Sequence, residues 1–268
     1  MRKLSLILLA GIVLFTPLFA QYEIAKNVQY RDAGSDDYQN ERCVLDVYYP
    51  SSIEGFPTIV WFHGGGLKGG KKNLPNELKD QGIAVVSVNY RLSPKVKAPA
   101  YIEDAAAAVA WTFKYIADYG GDPDRIYIAG HSAGGYLVSM VGLDRSYLEA
   151  HNLDANDLAG VIPFSGQTVT HSTVRKERGV PKTRVVVDDF APLYHIRSDA
   201  PDFLLITGDR EKELPGRYEE NALFGCMLQE SLGRNVELIE LDGYNHGTMV
   251  KPGYPILVEF IKDREKGN

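Results

Sequence analysis

Gly130-His131-Ser132-Ala133-Gly134-Gly135 holds a serine in the pattern G-x-S-x-G. The β-branched and aromatic run Arg125 to Ala129 precedes it, and the apolar run Tyr136-Leu137-Val138 follows. A strand, a sharp turn and a helix in that order lift a serine hydroxyl clear of the backbone, where it can act as a nucleophile. A helix beginning at the serine also aims backbone N–H groups at negative charge developing beside it. The plainer alternative is a tight turn whose serine only caps the helix. Attack on a carbonyl needs three more parts: amides to hold the oxyanion, a general base, and an acid that orients the base. The chain offers candidates for all three.

His63-Gly64-Gly65-Gly66 follows the apolar run Thr58 to Phe62. Glycines let bare amides approach a carbonyl oxygen closely, so Gly65 or Gly66 is expected to give one oxyanion donor and Ala133 the other. A phosphate-binding loop would need a Lys-Ser or Lys-Thr pair opening a helix, which Gly69-Gly70-Lys71-Lys72-Asn73 does not provide. His246 lies in Asp242-Gly243-Tyr244-Asn245-His246-Gly247, after the alternating run Val236 to Leu241. A histidine at the carboxyl end of a strand can reach the serine as base and then as acid. His63 belongs to the glycine loop, His131 adjoins the serine, and His151, His171 and His195 fall in irregular segments. The orienting carboxylate is expected in Gly208-Asp209-Arg210-Glu211-Lys212-Glu213-Leu214-Pro215, after the strand-like Phe203 to Thr207. Asp209 and Glu211 both meet the requirement, with Glu213 behind them.

These parts, in the order serine, acid, histidine, resemble the α/β-hydrolase superfamily on its esterase and lipase side. Leu45-Asp46-Val47-Tyr48-Tyr49-Pro50, Asn89-Tyr90-Arg91-Leu92-Ser93-Pro94 and Gly120-Gly121-Asp122-Pro123-Asp124-Arg125-Ile126 add to the likeness. They look like the hormone-sensitive-lipase-like and feruloyl or acetylxylan esterase relatives, over roughly residues 41 to 262. The resemblance implies an α/β-hydrolase fold, a mostly parallel sheet with helices on both faces and a small cap. Two departures stand out. His131 occupies a position where the hormone-sensitive-lipase-like enzymes often carry Asp. The family's usual acid, three residues after the strand-end glycine, would be Glu211, whereas Asp209 has the commoner side chain.

The elements that must position these residues alternate between strand and helix, which implies a parallel sheet. Ile83 to Val88 is a near-continuous apolar strand, as burial on both faces requires. Tyr101 to Tyr119 reads as a helix with the small residues Ala105 to Ala108, ended by Gly120-Gly121 and Pro123. Val161 to Phe164 is a short strand, Glu219 to Leu232 a helix, and Pro255 to Arg264 a closing helix. Thr168 to Asp189 is irregular and forms the expected small cap. Its Lys176, Arg178, Lys182 and Arg184 read as a solvated face, or alternatively as contacts to an anionic or sugar substrate.

The chain has 268 residues, 44% hydrophobic and 24% charged, which suits one globular catalytic domain over residues 21–268. A formal net charge of -6 argues against nucleic acid as a partner. Residues 1–20 read as a signal peptide: basic Arg2-Lys3, apolar Leu4 to Phe15, and Ala20 before Gln21. The rival is an uncleaved anchor, which Pro17 and the small Ala20 disfavour. A secreted or periplasmic protein with no membrane attachment after cleavage is expected. Cys43 and Cys226 lack metal-ligand spacing and read as buried free thiols, with pairing left open. The chemistry calls for neither a metal nor an organic cofactor.

The expected activity is hydrolysis of carboxylic esters through an acyl-enzyme, on acetyl or feruloyl groups of a polysaccharide. A peptidase of the prolyl-oligopeptidase kind is the rival enzyme, disfavoured by the absence of a preceding propeller. An arylformamidase is a related alternative. A non-catalytic binding protein is the rival from another class, disfavoured because serine and histidine are both kept.

Overall fold

Strands β1 (Tyr22–Gln29), β2 (Val44–Pro50), β3 (Phe56–Phe62), β4 (Ala84–Val88), β5 (Gly121–His131), β6 (Gly160–Phe164), β7 (Leu204–Gly208) and β8 (Glu237–Leu241) form one sheet. Their order across it is β1-β2-β4-β3-β5-β6-β7-β8. β2 runs antiparallel to both its neighbours, and every pair from β4 through β8 is parallel. This computed structural model describes residues 21–266 apart from 33, 35 and 182, so the expected leader (residues 1–20) and Lys182 of the cap lie outside the described residues.

The helices are α1 (Asp37–Arg42), α2 (Ala100–Tyr115), α3 (Ala133–Leu143), α4 (Ser146–Glu149), α5 (Ser172–Glu177), α6 (Arg217–Leu232) and α7 (Val250–Lys266). β3, β4, β6 and β7 are buried along their whole length, as strands covered on both faces must be. Successive side chains point to opposite faces. Val60, Phe62, Val86, Val88 and Ile128 therefore join the core with α2, α3 and α6. Ile59, Trp61, Val85, Ala129 and Phe164 join a second core with Tyr254, Leu257 and Ile261 of α7. Each Val, Ile, Leu or Phe side chain among them contributes on the order of 1.5–3 kcal/mol through burial. Together they hold rigid the carboxyl ends of the parallel strands, where ligands bind in sheets of this kind.

A buried ion cluster fastens α2 to that end. Asp104 is fully buried. It accepts from Arg91 Nε and Nη2 at 2.8 Å each and from the Arg91 amide at 3.0 Å. Arg31 Nε lies 2.8 Å from the same carboxylate. Arg91 follows β4 and Arg31 follows β1, so one carboxylate ties a helix to the exits of two strands.

Several boundaries differ from those expected. The α-helix over Tyr101–Tyr119 stops at Tyr115 and continues as a 3₁₀ turn over Ile116–Tyr119, ended by Gly120 at φ 89°. β5 already begins at Gly121. α7 starts at Val250, with Pro255 inside it. Pro255 and Lys251, whose carbonyl loses its helical partner, are both exposed, so water can serve that carbonyl. Cys43 is buried and free as expected, but Cys226 is exposed on α6, and the two are not paired. The cap between β6 and β7 is small, with α5 and a 3₁₀ turn over Pro192–His195. Its Lys176, Arg178 and Arg184 are exposed, and Arg178 Nη1 bonds Asp188 at 2.7 Å.

Candidate active site

Four consecutive parallel strands each deliver one polar residue to a single point. Ser132 follows β5, Ser165 follows β6, Glu213 lies in the loop after β7, and His246 in the loop after β8. Ser132 adopts φ 56° and ψ -110° between strand and helix. Its amide bonds Phe164 O at 2.8 Å, and its carbonyl accepts from Tyr136 at 2.9 Å. This left-handed turn is possible because the backbone around it is nearly bare. A Cβ on Gly134 would come within 2.1 Å of Phe62 O, so no larger residue fits where α3 crosses β3.

Ser132 Oγ lies 2.9 Å from His246 Nε2, and His246 Nδ1 lies 2.9 Å from Glu213 Oε2. A carboxylate only accepts, so Nδ1 carries the ring proton and Nε2 is free to accept from the serine hydroxyl. The Glu213 side chain is 1% exposed. Its Oε1 accepts from Ser165 Oγ at 2.6 Å and the Gly208 amide at 3.2 Å, and Oε2 also accepts from the Leu214 amide at 2.9 Å. Burial works against its ionisation, but the bonds from His246 and Ser165 outweigh that and hold the carboxyl down at about 2.

Neither Asp209 nor Glu211, the two acids expected from the sequence, meets His246. Asp209 instead stitches the acid loop to the histidine loop. Its Oδ1 accepts from the Glu211 amide at 2.9 Å and its Oδ2 from the Gly243 amide at 2.8 Å, while its own amide bonds Tyr244 O at 2.8 Å. The bonds from Glu211 and Gly243 lower its pKa. Glu211 is exposed. The physical reason is a coil in the loop. Asp209 O accepts from the amides of both Lys212 and Glu213, at 2.9 and 2.8 Å, so the chain turns back and sets Glu213 over Gly208.

Ser165, which the sequence did not single out, and His131, which stood out there as a departure from the family pattern, complete the support. Ser165 contacts Glu213 and also lies 3.1 Å from His246 Nδ1. It holds φ 49°, a conformation costing roughly 1–3 kcal/mol outside glycine. Its amide bonds Ile206 O at 2.7 Å, and its carbonyl accepts from Arg217 Nη1 at 2.5 Å. The only signal available was its place at the end of a strand, before Gly166. His131 donates from Nε2 to His246 O at 2.8 Å, with the two rings 4.8 Å apart. The residue before the serine thus anchors the backbone of the histidine loop. Burial, then the nearby His246, lowers its pKa to about 4, so it stays neutral.

The glycine loop abuts the serine: a Cβ on Gly64 would lie 3.3 Å from Ser132 Cβ. His63 Nδ1 bonds Gly64 O at 2.7 Å, which fixes the peptide plane carrying the Gly65 N–H. Lys68 and Gly69 amides bond Gly65 O at 3.1 Å each, fixing the plane carrying the Gly66 N–H. Gly65 sits at φ 117°, where a Cβ would come within 2.2 Å of Gly69 O. Thr173 Oγ1 of α5 donates to Gly66 O at 2.6 Å, joining cap to loop. Among the described residues, the N–H groups of Gly65, Gly66 and Ala133 have no protein acceptor. They are free for an anionic oxygen.

The BD-FAE family model matches residues 45–221. The chain belongs to the BD-FAE family. Its fold is the α/β-hydrolase fold, as expected from the motifs. This BD-FAE chain is 31% identical over 210 residues to esterase LipC of Mycobacterium tuberculosis, covering 71% of this chain and 51% of that protein. It is 27% identical over 230 residues to a probable isoprenylcysteine alpha-carbonyl methylesterase of rice, covering 75% and 53%. The chain thus spans about half the length of the curated relatives it matches. Among solved structures, a truncated carbohydrate esterase from gut microbiota superposes with TM-score 0.75 at 18% identity, covering 94% of this chain and 99% of that one. A bifunctional GH43-CE protein of Bacteroides eggerthii gives 0.71 at 21% identity, covering 90% and 38%.

Proposed function

We propose that this BD-FAE protein is a serine hydrolase of carboxylic esters. The relay Ser132 Oγ to His246 Nε2 to Glu213, with both contacts at 2.9 Å, is the observation that carries the reading. Ser132 Oγ attacks the ester carbonyl carbon while His246 Nε2 takes its proton. Glu213 holds the imidazole in the required tautomer and stabilises the imidazolium. The amides of Gly65, Gly66 and Ala133 receive the oxyanion, each being worth on the order of 3 kcal/mol in the transition state. As the tetrahedral intermediate collapses, His246 protonates the departing alcohol. Water then attacks the acyl-enzyme with His246 again as base, releasing the carboxylic acid and the free serine.

Replacing Ser132 with Ala is expected to lower turnover of nitrophenyl acetate by on the order of 10⁵–10⁶. It should also abolish labelling by a fluorophosphonate and leave the melting temperature within a few degrees. Turnover near that of the unmodified protein would overturn the reading.

The substrate we infer is an acetyl or feruloyl ester on a polysaccharide. The small cap and the likeness to carbohydrate esterase structures support this choice. Acyl release from acetylated xylan and methyl ferulate, compared with nitrophenyl esters of increasing chain length, tests it. Export with cleavage after Ala20 belongs to the same reading, and an N-terminus at Gln21 on protein recovered outside the cytoplasm is the expected finding.

A further inference from the structure

A second concave surface lies apart from the Ser132 site, and none of the residues described there lines it. It is a groove of about 900 Å³ along the outward side of α2, closed by the chain after β1 and by the turn at His151–Leu153. Clefts that hold small ligands fall in the range of about 300–1,000 Å³. Ala107 and Ala110 keep its floor low beside Trp111 and Tyr115. Those two rings are half-buried, 5.3 Å apart and tilted by 39°. Tyr119 backs Trp111 from behind at 6.1 Å, so the indole is held in place before any ligand arrives.

Polar side chains stand around this aromatic floor: Asp32, Gln39, His151 and Asn152. Asp32, His151 and Asn152 are exposed. The charged groups Arg31, Asp32 and Lys114 also line the groove. Arg31 is paired with buried Asp104, and Lys114 feels the opposing charge of Asp32, a lesser contribution to its raised pKa after the contact with Tyr115. Partial burial, then the charge of Arg31, lowers the pKa of His151, which favours its neutral form. The half-buried Trp111 ring beside the neutral hydrogen-bonding groups of Gln39, His151 and Asn152 suits a ligand with apolar faces and a polar rim. A pyranose ring has both. An anionic ligand would meet Arg31, already paired with Asp104, and Lys114, which lies 5.0 Å over the Tyr115 ring with the charge of Asp32 opposing its own.

From this arrangement we propose that the α2 groove binds a neutral oligosaccharide, with Trp111 as the stacking platform and His151 and Asn152 as rim contacts. The groove would hold a stretch of glycan while an acyl group elsewhere on the polymer is processed at Ser132. That coupling rests on the esterase reading above, whereas the binding itself does not.

The protein carries its own reporter. It has two tryptophans, and Trp61 is 2% exposed in the core, so emission that responds to a ligand comes from Trp111. In the Ser132→Ala protein, unsubstituted xylo-oligosaccharide should change that emission saturably and protect it from acrylamide quenching. The double variant His151→Ala/Asn152→Ala, which keeps the reporter, should bind at least several-fold more weakly. Trp111→Ala in the active protein should release acyl groups from acetylated xylan several-fold more slowly, with nitrophenyl acetate turnover unchanged. A flat titration, equal binding by the double variant, or a stronger response to a polyuronate would each overturn the proposal. Failure of nitrophenyl acetate turnover would instead count against the esterase reading and leave the titration valid.

Discussion

Glu213 receives four hydrogen bonds at one buried carboxylate, so an isosteric amide there is more disruptive than its size suggests. The amide of a Glu213→Gln protein would have to present its NH₂ group either to Ser165 and Gly208 or to His246 Nδ1. The second arrangement forces the wrong imidazole tautomer. Glu213→Gln is therefore expected to lower kcat by roughly 10³–10⁴ with nitrophenyl acetate. Asp209→Asn loses one of the two side-chain oxygens that accept from the Glu211 and Gly243 amides, which should lower the melting temperature while costing less than about tenfold in kcat. Glu211→Gln should change neither. Measuring kcat, KM and melting temperature for all three separates the roles, and an active Glu213→Gln protein would move the acid elsewhere. Ser132 and His246 were legible in the sequence because short-range features set their places: a glycine-flanked elbow and a strand end. The acid was not, because counting along an extended loop points to residue 211. The coil closed by Asp209 O brings residue 213 inward instead. Ser165 escaped notice because its role exists only once β6 and β7 stand side by side.

At the scale of elements, Asp104 offers the sharpest test. Replacing it with Ala leaves Arg91 and Arg31 without the partner described above, and breaking a buried pair in this way costs about 3–5 kcal/mol. Asp104→Ala should show that loss in urea unfolding. The double change Asp104→Leu/Arg91→Met should lose less than the sum of the single changes, since no orphaned Arg91 charge remains. Additive losses would mean that the cluster is not a unit. In the sequence, Asn89 to Pro94 stood out only by likeness to relatives, and the physical reason for Arg91 is this pairing across elements. Central strands were readable from unbroken apolar runs. β1 was not, because it lies at the sheet edge, is mostly exposed and depends on pairing with β2. The start of β5 was masked by Pro123, which reads as a breaker.

For the whole molecule, buried His63 and His171 and half-buried His131 set the acid limit of the fold. Burial lowers His63 to about 4, with the charge of Arg42 adding to it. His131 is also lowered to about 4. His171 is lowered to about 3 by burial and by the charges of Arg217, Lys68 and Arg175. Its Nδ1 accepts from the Thr173 amide at 3.1 Å, which a protonated ring could not do. In the unfolded chain these rings take up protons as pH falls below about 6.5, while in the fold they stay neutral until about 4 or 3. The unfolded state thus binds more protons in that window, and stability must fall with falling pH, by about 1.4 kcal/mol per pH unit for each such ring. Glu213 acts in the same direction lower down. Its depressed pKa contributes stability above about pH 4.3 that is lost as pH falls toward 2. Urea unfolding should therefore weaken steeply between about pH 6.5 and 4.5, before most carboxylates titrate. His171→Asn keeps an acceptor for the Thr173 amide but removes one titrating ring. It should flatten the slope by about 1.4 kcal/mol per pH unit at little cost near neutral pH. An unchanged slope would show that His171 takes up its proton equally in the folded and unfolded chain, and the neutral ring accepting from the Thr173 amide would then fail.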